Sequence, residues 1–209
     1  PRWSVSADLY WRDFENVFLP RDRFMTAYPL KVTTINETGG LSDFEQGAAK
    51  AYGVEMSADY RKGWFRFSSS YTGSRSLFRV QSQLASGKYR AGVYDTPHVV
   101  RSSTGYVGSR FSMIVSAEAR TGYPTLASIR GTAPQIGGGR MPTYFRLDAA
   151  IGYKFTRFGL DWRIQGRMYN LTNRKNVVGY EYDRDLLYLR RTSLLGVSRW
   201  PTFNIQVSV

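Results

Sequence analysis

The residues that could do chemistry in this chain are charged side chains, placed two apart in segments whose alternate positions are apolar. Carboxylate and guanidinium groups in such rows can bind a charged ligand, or they can pair with one another along a solvated wall. Nine residues share this placement and are the candidate binding residues: Glu55, Asp59, Arg66, Glu118, Arg120, Arg146, Asp148, Arg163 and Arg167.

Enzymatic and metal chemistry find little support in the composition. The chain has no Cys, which excludes thiolate metal sites and cysteine nucleophiles, and its one His makes a histidine zinc site or a Ser-His-Asp triad hard to assemble. That residue, His98, follows Asp95 closely and is expected to be a polar residue at a strand end. We therefore expect no enzyme, no catalytic residue, no metal and no cofactor.

The positions of these charges follow a strict two-residue period, which is typical of β-strands with two different faces. In the segment 144–155, for example, Phe145 and Ile151 alternate with Arg146 and Asp148. About eight such segments of roughly ten residues occur, the length that a tilted membrane-spanning strand requires. They lie at 51–60, 111–120, 144–155, 160–169 and 200–209, with weaker alternation at 3–12, 64–72 and 98–107.

The connections between these segments alternate in length. Short links are expected at 61–63, 107–109 and 156–159, and long links at 13–49, 73–95, 121–142 and 172–192. Tight turns on one side and long loops on the other are typical of an all-β, antiparallel up-and-down transmembrane β-barrel. A soluble β-sandwich is the alternative, but it does not predict alternating link lengths.

A barrel gives each set of residues a direction. We predict that Phe145, Ile151, Trp162, Ile164 and Phe203 face lipid, and that Arg146, Asp148, Arg163 and Arg167 face the lumen. Because barrel interiors are polar in any case, the paired wall is favoured over a substrate site for the nine charged residues.

The charge balance is basic, with 29 Lys and Arg against 16 Asp and Glu and a formal net charge of +13. The basic residues are spread among apolar residues and carboxylates, which is a poor match to a stripe that follows phosphates along nucleic acid. Anionic lipid headgroups or an acidic partner chain are equally good counterparts of this positive charge.

Several segments resemble, in order, the β-barrel of TonB-dependent receptors. The segment from Arg140 to Asp148 is similar to that family's "R-x-P-x-Y-x-R-L-D" strand, and the segment from Asn170 to Asn173, with Asn176 and Tyr180, to its "N-L-x-N…N…Y" stretch. Further matches are Tyr52-Gly53-Val54-Glu55, Asp95-Thr96-Pro97-His98, Thr121-Gly122-Tyr123-Pro124-Thr125 and the ending from Pro201 to Val209.

This resemblance implies that residues 1–209 are the C-terminal part of an outer-membrane barrel of probably 22 strands, with the plug domain absent from this chain. It implies ligand uptake across a Gram-negative outer membrane, contact with lipids including lipopolysaccharide, and an energy-coupling inner-membrane complex as partner. It also implies that the closing strand carries a membrane-insertion signal, made of Phe203, Ile205, Val207 and Val209.

Two other functions remain open. The chain could be a complete eight-stranded barrel with a structural or adhesive role, or an outer-membrane enzyme with its site on the loops. Closure separates the first of these from a receptor segment, since a complete barrel must pair the strand at 3–12 with the strand at 200–209. We expect the chain not to close on itself.

Overall fold

The structure is a computed structural model that describes residues 2–20, 44–80, 88–92, 94–127, 135–182 and 191–208. These residues form thirteen β-strands. None of the described segments contains a helix long and apolar enough to cross a membrane. The strands are β1 (Arg2–Pro20), β2 (Phe44–Lys62), β3 (Phe65–Val80), β4 (Arg90–Ala91), β5 (His98–Val107), β6 (Phe111–Arg120), β7 (Pro124–Ala127), β8 (Gln135–Arg140), β9 (Tyr144–Arg157), β10 (Leu160–Tyr169), β11 (Val177–Tyr182), β12 (Arg191–Leu195) and β13 (Trp200–Ser208).

Eight of these strands form the main sheet, in the order β1-β2-β3-β5-β6-β9-β10-β13. The short strand β4 pairs with β3 at Leu77 and Phe78, past the residues of β3 that pair with β5. Every ladder in this sheet is antiparallel, and each long strand pairs with the next long strand along the chain. The eight predicted strands and their up-and-down order are therefore confirmed. Three of them are much longer than predicted. β1 and β2, with 19 residues each, extend into the long link expected at 13–49, and β3, with 16 residues, extends into the one expected at 73–95.

Apart from a shift between Phe14 and Val17 on β1, one register runs through the main sheet and gives it an apolar and a polar face. Trp162 lies opposite Phe155 on β9 and Val207 on β13, whereas Arg146 lies opposite Glu118 on β6. Since side chains alternate along every strand, these pairings propagate from β1 to β13. Two faces predicted separately for each strand thus become two continuous surfaces.

The apolar face is exposed to the surroundings, whereas a soluble protein would bury such a face. On the apolar face Leu9 is 85% and Phe203 is 68% exposed. On the polar face the side chains of Glu118 and Arg120 are 22% and 16% exposed. Large buried hydrophobic residues are rare among the described residues, and no second sheet in that part of the chain covers the apolar face. A β-sandwich would bury this face between two sheets.

Serine residues on the apolar face illustrate the same adaptation. Ser69 and Ser102 lie opposite each other there, and their hydroxyl oxygens are 2.7 Å apart. A hydroxyl without a partner is costly in hydrocarbon, so this mutual hydrogen bond lets two polar residues occupy a lipid-facing surface.

Aromatic side chains mark the two ends of the apolar face. At the short-turn end the ring centroids of Trp3 and Tyr60 are 4.5 Å apart, and those of Phe155 and Trp162 are 6.0 Å apart. At the other end Trp11 stacks on Tyr52 at 4.9 Å. On β9 ten residues separate Phe145 from Phe155, which at about 3.3 Å per residue and a tilt of roughly 40° spans about 25 Å. This matches the apolar band of an outer-membrane barrel.

The short links all lie at the same end of the strands, the short-turn end of the sheet. Between β9 and β10 the turn consists of Phe158 and Gly159, whose φ values are 58° and 72°. Two positive φ values in a two-residue turn match the right-handed twist of the flanking strands. The long links all leave from the other end of the strands, as expected.

Two hairpins were not predicted. The β7–β8 pair lies within the long link expected at 121–142, and the β11–β12 pair begins within the link expected at 172–192 and ends at Leu195. Their strands have four to six residues, and β8 is rich in glycine. Strands this short carry too few alternating positions for a two-residue period to be recognised.

The main sheet has two free edges among the described residues. There β1 pairs with β2 and β13 pairs with β10, and no ladder joins β1 to β13. The barrel is therefore not closed, as the sequence predicted. An edge strand leaves a row of N–H and C=O groups unpaired, which hydrocarbon does not tolerate.

The two faces predict opposite responses to charge at neighbouring positions. Replacing Ile164 by Arg should cost about 2–4 kcal/mol of folding free energy, because this side chain lies on the apolar face near the middle of β10. The matched variant Gln165→Arg should cost little. Urea unfolding of the intact protein in lipid vesicles measures both, and equal losses would mean that the faces are wrongly assigned.

Candidate functional site

The polar face carries a cluster of charged side chains on β5, β6 and β9, here called the charged ladder: Arg101, Glu118, Arg120, Arg146 and Asp148. Its Glu118 carboxylate lies 3.8 Å from Arg101 and 3.7 Å from Arg120. The guanidinium of Arg146 lies 3.0 Å from Asp148. The structure thus brings four of the nine candidate residues together and adds Arg101, which the weaker alternation of its strand did not single out.

Two tyrosines hold one end of the charged ladder. The Arg120 guanidinium lies 4.6 Å from the ring centre of Tyr123 and 4.5 Å from that of Tyr144. Contacts of a cation with two aromatic faces add to its ion pair with Glu118 and restrict the rotation of the side chain. The ladder therefore begins, at the long-loop end of the sheet, with a fixed cation.

A hollow of about 250 Å³ lies against the charged ladder. Serine side chains line the rest of it on the polar face: Ser68, Ser70, Ser103 and Ser116. Small hydroxyl side chains leave room beside the long charged ones and can donate or accept hydrogen bonds. This surface can contact a polar ligand or the polar surface of another domain.

The candidate acids outside the ladder lie on the same face but apart from it. Glu55 is opposite Asp8 on β1, and Asp59 is opposite Ser4. No ion pair joins either carboxylate to another described residue. Among the described residues, the ion pairs of the polar face therefore lie in the charged ladder and do not include these two acids of β2.

The three remaining candidates are arginines near other strands. Arg66 donates hydrogen bonds to the carbonyl oxygens of Gly63 at 2.6 Å and Phe65 at 3.1 Å, and so holds the β2–β3 turn. Arg163 and Arg167 lie on β10 in register with other polar-face positions. Neither forms an ion pair with a described residue, so we regard all three as separate from the ladder.

A buried carboxylate organises the long-loop end of the sheet. The side chain of Asp95 is fully buried and accepts a hydrogen bond from the Ser76 amide at 2.8 Å. It forms ion pairs with Arg140 and, at 3.4 Å, with Arg75. Arg140 also donates to the Asp95 carbonyl at 2.6 Å. These contacts tie β3, the segment before β5 and the end of β8 together. Removing one partner of such a buried pair is strongly destabilising.

His98 is the first residue of β5, at the strand end where it was expected. Its Nδ1 lies 2.8 Å from the hydroxyl of Tyr71. Within the described part of the chain, no three His, Asp or Glu side chains are grouped to hold a metal ion.

The asparagine-rich segment after β10 is a structural node. Asn170 is fully buried with a φ of 49°. Its amide N–H donates to Asp148 of the charged ladder at 2.9 Å, and its side-chain Nδ2 donates to the carbonyl oxygens of Arg174 and Val197, both at 3.0 Å. Asparagine tolerates the left-handed region better than other non-glycine residues. Asn170 therefore joins a turn and a loop through its side chain, and the charged ladder through its backbone N–H.

Asn176 extends this node to β9. Its Oδ1 accepts a hydrogen bond from the Phe145 amide at 2.9 Å, and its Nδ2 donates to the Phe145 carbonyl at 2.7 Å. This is the bonding pattern of a neighbouring strand residue. The two asparagines that carry the sequence resemblance thus fix the loop after β10 onto the main sheet.

One exposed carboxylate above the aromatic girdle has a shifted pKa. The Trp11 indole N–H donates to Asp13 at 2.5 Å, and Lys50 lies 3.3 Å from the same carboxylate. These contacts lower the pKa of Asp13 below 3.8, the hydrogen bond from Trp11 most of all. The stabilisation is present above that value and is lost as the pH falls through the lower pKa of the folded state.

Three of the four residues of the predicted insertion signal lie in the described structure. Phe203, Ile205 and Val207 lie on the apolar face opposite Gly166, Ile164 and Trp162. Val209 lies outside the described residues. Recognition of this segment during membrane insertion stays a prediction.

A membrane-spanning, inside-out antiparallel sheet with alternating short and long links defines the wall of an outer-membrane β-barrel. The model of the family described as "TonB dependent receptor-like, beta-barrel" matches residues 1–171, and the chain belongs to this family. No curated protein matches the chain. The family consists of receptors and transporters of the Gram-negative outer membrane and is not an enzyme family.

Asn170 offers a test of the node. Asn170→Ala should destabilise the folded protein by about 1–3 kcal/mol for each buried group left unpaired, and by roughly 1–2 kcal/mol more through the left-handed backbone. Asn170→Gly should avoid the backbone cost while losing the same hydrogen bonds. Urea unfolding of the intact protein measures both losses.

The control for this prediction is Asn204→Ala, at an exposed polar position of β13. It should change the free energy of unfolding by less than about 0.5 kcal/mol. If the Asn170 variants are as stable as the Asn204 variant, the node does not hold the loop.

Proposed function

We propose that this chain forms the last strands of the barrel wall in a TonB-dependent transporter, with its apolar face in lipid and its polar face toward the interior. The observation that carries this proposal is the exposed apolar face that continues across the main sheet. Apolar side chains stay on the surface across eight strands, while charged side chains gather on the other face. Only a lipid environment makes this arrangement favourable.

The free edges support a larger barrel. Each edge of the main sheet needs a partner strand, and a wide barrel supplies further strands on both sides. The hollow beside the charged ladder also suits a wide barrel, since the interior of an eight-stranded one is filled by side chains. On this proposal residues 1–209 are the C-terminal part of a barrel of about 22 strands, and the plug lies outside them.

In transport, the long loops receive the ligand at the outer surface, and the charged ladder lines the path beside the plug. Arg120 is the first fixed cation of that path, and the serines of the hollow provide hydrogen bonds below it. Alternating charges and hydroxyl groups let a polar ligand exchange partners as it moves, without one deep binding site. An inner-membrane complex supplies the energy that moves the plug.

The apolar face contacts outer-membrane lipids, with lipopolysaccharide at the long-loop end. Lys50 supports this orientation, because it lies on that face beyond the girdle formed by Trp11 and Tyr52. A cation just beyond an aromatic girdle is placed at the level of the lipid phosphates.

A complete eight-stranded barrel with a structural or adhesive role is the second candidate. The number of strands in the main sheet favours it, because eight strands form the smallest outer-membrane barrels. It requires a ladder between β1 and β13, which the described residues lack.

Two neighbouring serines of β5 test the orientation of the sheet. Ser103 lies on the polar face and Ser102 on the apolar face. The chain contains no cysteine, so each can be replaced singly without a background from this region. In the intact receptor, Ser103→Cys should react with a water-soluble maleimide and Ser102→Cys should react with a lipid-soluble one. The opposite pattern, or equal reaction of both with the water-soluble reagent, would contradict the proposal.

The closing strand gives a second test. Deleting residues 203–209 removes the β13 partners of Asp161 to Gly166 on β10, and each backbone group left unpaired in lipid costs several kcal/mol. We expect the level of the receptor in the outer membrane to fall close to background, as measured by surface labelling. Asn204→Ala is the control and should leave the level unchanged. A normal level of the deletion variant would show that the segment has no role in insertion.

A further inference from the structure

Basic residues are concentrated at the short-turn end of the main sheet. The stretches 2–4, 59–68, 105–113, 154–163 and 206–208 form this end, and they contain eight Lys or Arg residues but two acidic residues. At the other end of the polar face, in the charged ladder, acidic and basic side chains are interleaved and paired. The excess positive charge is therefore local.

Three arginines of this end lie in one row on the polar face. Arg61 of β2 is opposite Arg2 of β1 on one side and Arg66 of β3 on the other. Directly opposite like charges, with Cβ atoms about 5 Å apart, destabilise a sheet. Asp59 is two residues from Arg61, yet no ion pair joins any of these arginines to a described carboxylate. Arg66 donates to the carbonyl oxygens of Gly63 and Phe65, but no described carboxylate offsets the repulsion within the row.

A second basic group lies at the same short-turn end of the sheet, on β9, β10 and the β5–β6 turn. Lys154 is opposite Arg163 on the polar face, and both line a hollow of about 530 Å³ together with Arg110 of the β5–β6 turn. The acid there, Asp161, accepts a hydrogen bond from the Thr156 hydroxyl at 2.6 Å. Three cations therefore surround this hollow with one carboxylate among them.

These two groups are together called the basic rim: Arg2, Arg61, Arg66, Arg110, Lys154 and Arg163. Such a rim needs carboxylates or phosphates from outside the described residues to offset its repulsion. Lipid phosphates are disfavoured, because five of the six side chains lie on the face away from lipid. Lys62 and Arg157, which lie on the apolar face at the same end, are the residues placed to meet lipid phosphates.

We propose that the basic rim binds an acidic segment of the receptor's own plug domain, at the periplasmic mouth of the barrel. This inference rests on the proposed function, which makes the polar face the barrel interior and the short turns its periplasmic side. A wide transporter barrel has a plugged lumen, so the plug is the polypeptide that meets this face. Carboxylates on the plug would remove the repulsion and fix the lower edge of the plug against the wall.

Carbodiimide cross-linking of the intact receptor in outer membranes tests this contact. The reagent converts a carboxylate into an O-acylisourea, and a neighbouring lysine amine attacks its acyl carbon to form an amide, releasing the urea. Arg61→Lys keeps the charge of the row and adds the reactive amine. Lys154 already provides an amine in the unaltered protein, so the cross-linking measurement at Lys154 does not depend on the folding of a variant.

We expect mass spectrometry to find Lys154, and residue 61 in the Arg61→Lys variant, joined to acidic peptides of the plug. The yield should fall at high salt, since an ionic contact is screened. Lys62 is the internal control, because it adjoins Arg61 and lies on the opposite face, and it should give no plug cross-link.

The outcomes separate the two proposals. Cross-links from the rim to a separate periplasmic protein, or no cross-link from either rim amine, would overturn the plug contact while leaving the orientation of the sheet intact. Plug cross-links from Lys62 in place of the rim amines would instead overturn the proposed function itself, because they would put the apolar face toward the interior.

Discussion

The fold depends on one constraint, the need to pair every backbone N–H and C=O group where no water is present. Antiparallel ladders meet that need in the main sheet from β1 to β13, and they require side chains to alternate between two faces. The same alternation then separates lipid-facing from interior residues. Even Ser69 and Ser102 comply, since their hydroxyls bond to each other on the apolar face. Orientation, face chemistry and strand length are all consequences of that requirement.

Where the chain leaves the ladders, buried polar side chains take over the same task. Asp95 accepts the Ser76 amide, and Asn176 bonds both backbone groups of Phe145 as a strand neighbour would. Asn170 satisfies the carbonyl oxygens of two separate segments. These residues fix the bases of the long loops onto the wall, so the charged ladder below them keeps its geometry.

The parts of the structure that the sequence predicted are those set by short-range periodicity. A two-residue period over ten positions determines the strands and the face of each residue, so Arg146 and Glu118 were placed correctly on one surface. The Asp95 cluster depends on Arg140, which is 45 positions away, and no local pattern reports such a contact. The β7–β8 hairpin was not predicted for a different reason, because its strands are too short to show a two-residue period. The motif around Asn170 was recognised by resemblance, and its hydrogen bonds explain why those residue types occur there.

Two features of the described sheet are incomplete in different ways, and each defines a partner. The edges of β1 and β13 lack hydrogen bonds, and only strands can supply those in a bilayer. The arginine row at the short turns lacks counter-charges on a face that does not meet lipid, and carboxylates from within the barrel can supply those. The first deficit concerns the backbone and is independent of side-chain identity. The missing counter-charge depends on the side chains of Arg2, Arg61 and Arg66. Substitution of these residues can therefore alter it without changing the strand pairing.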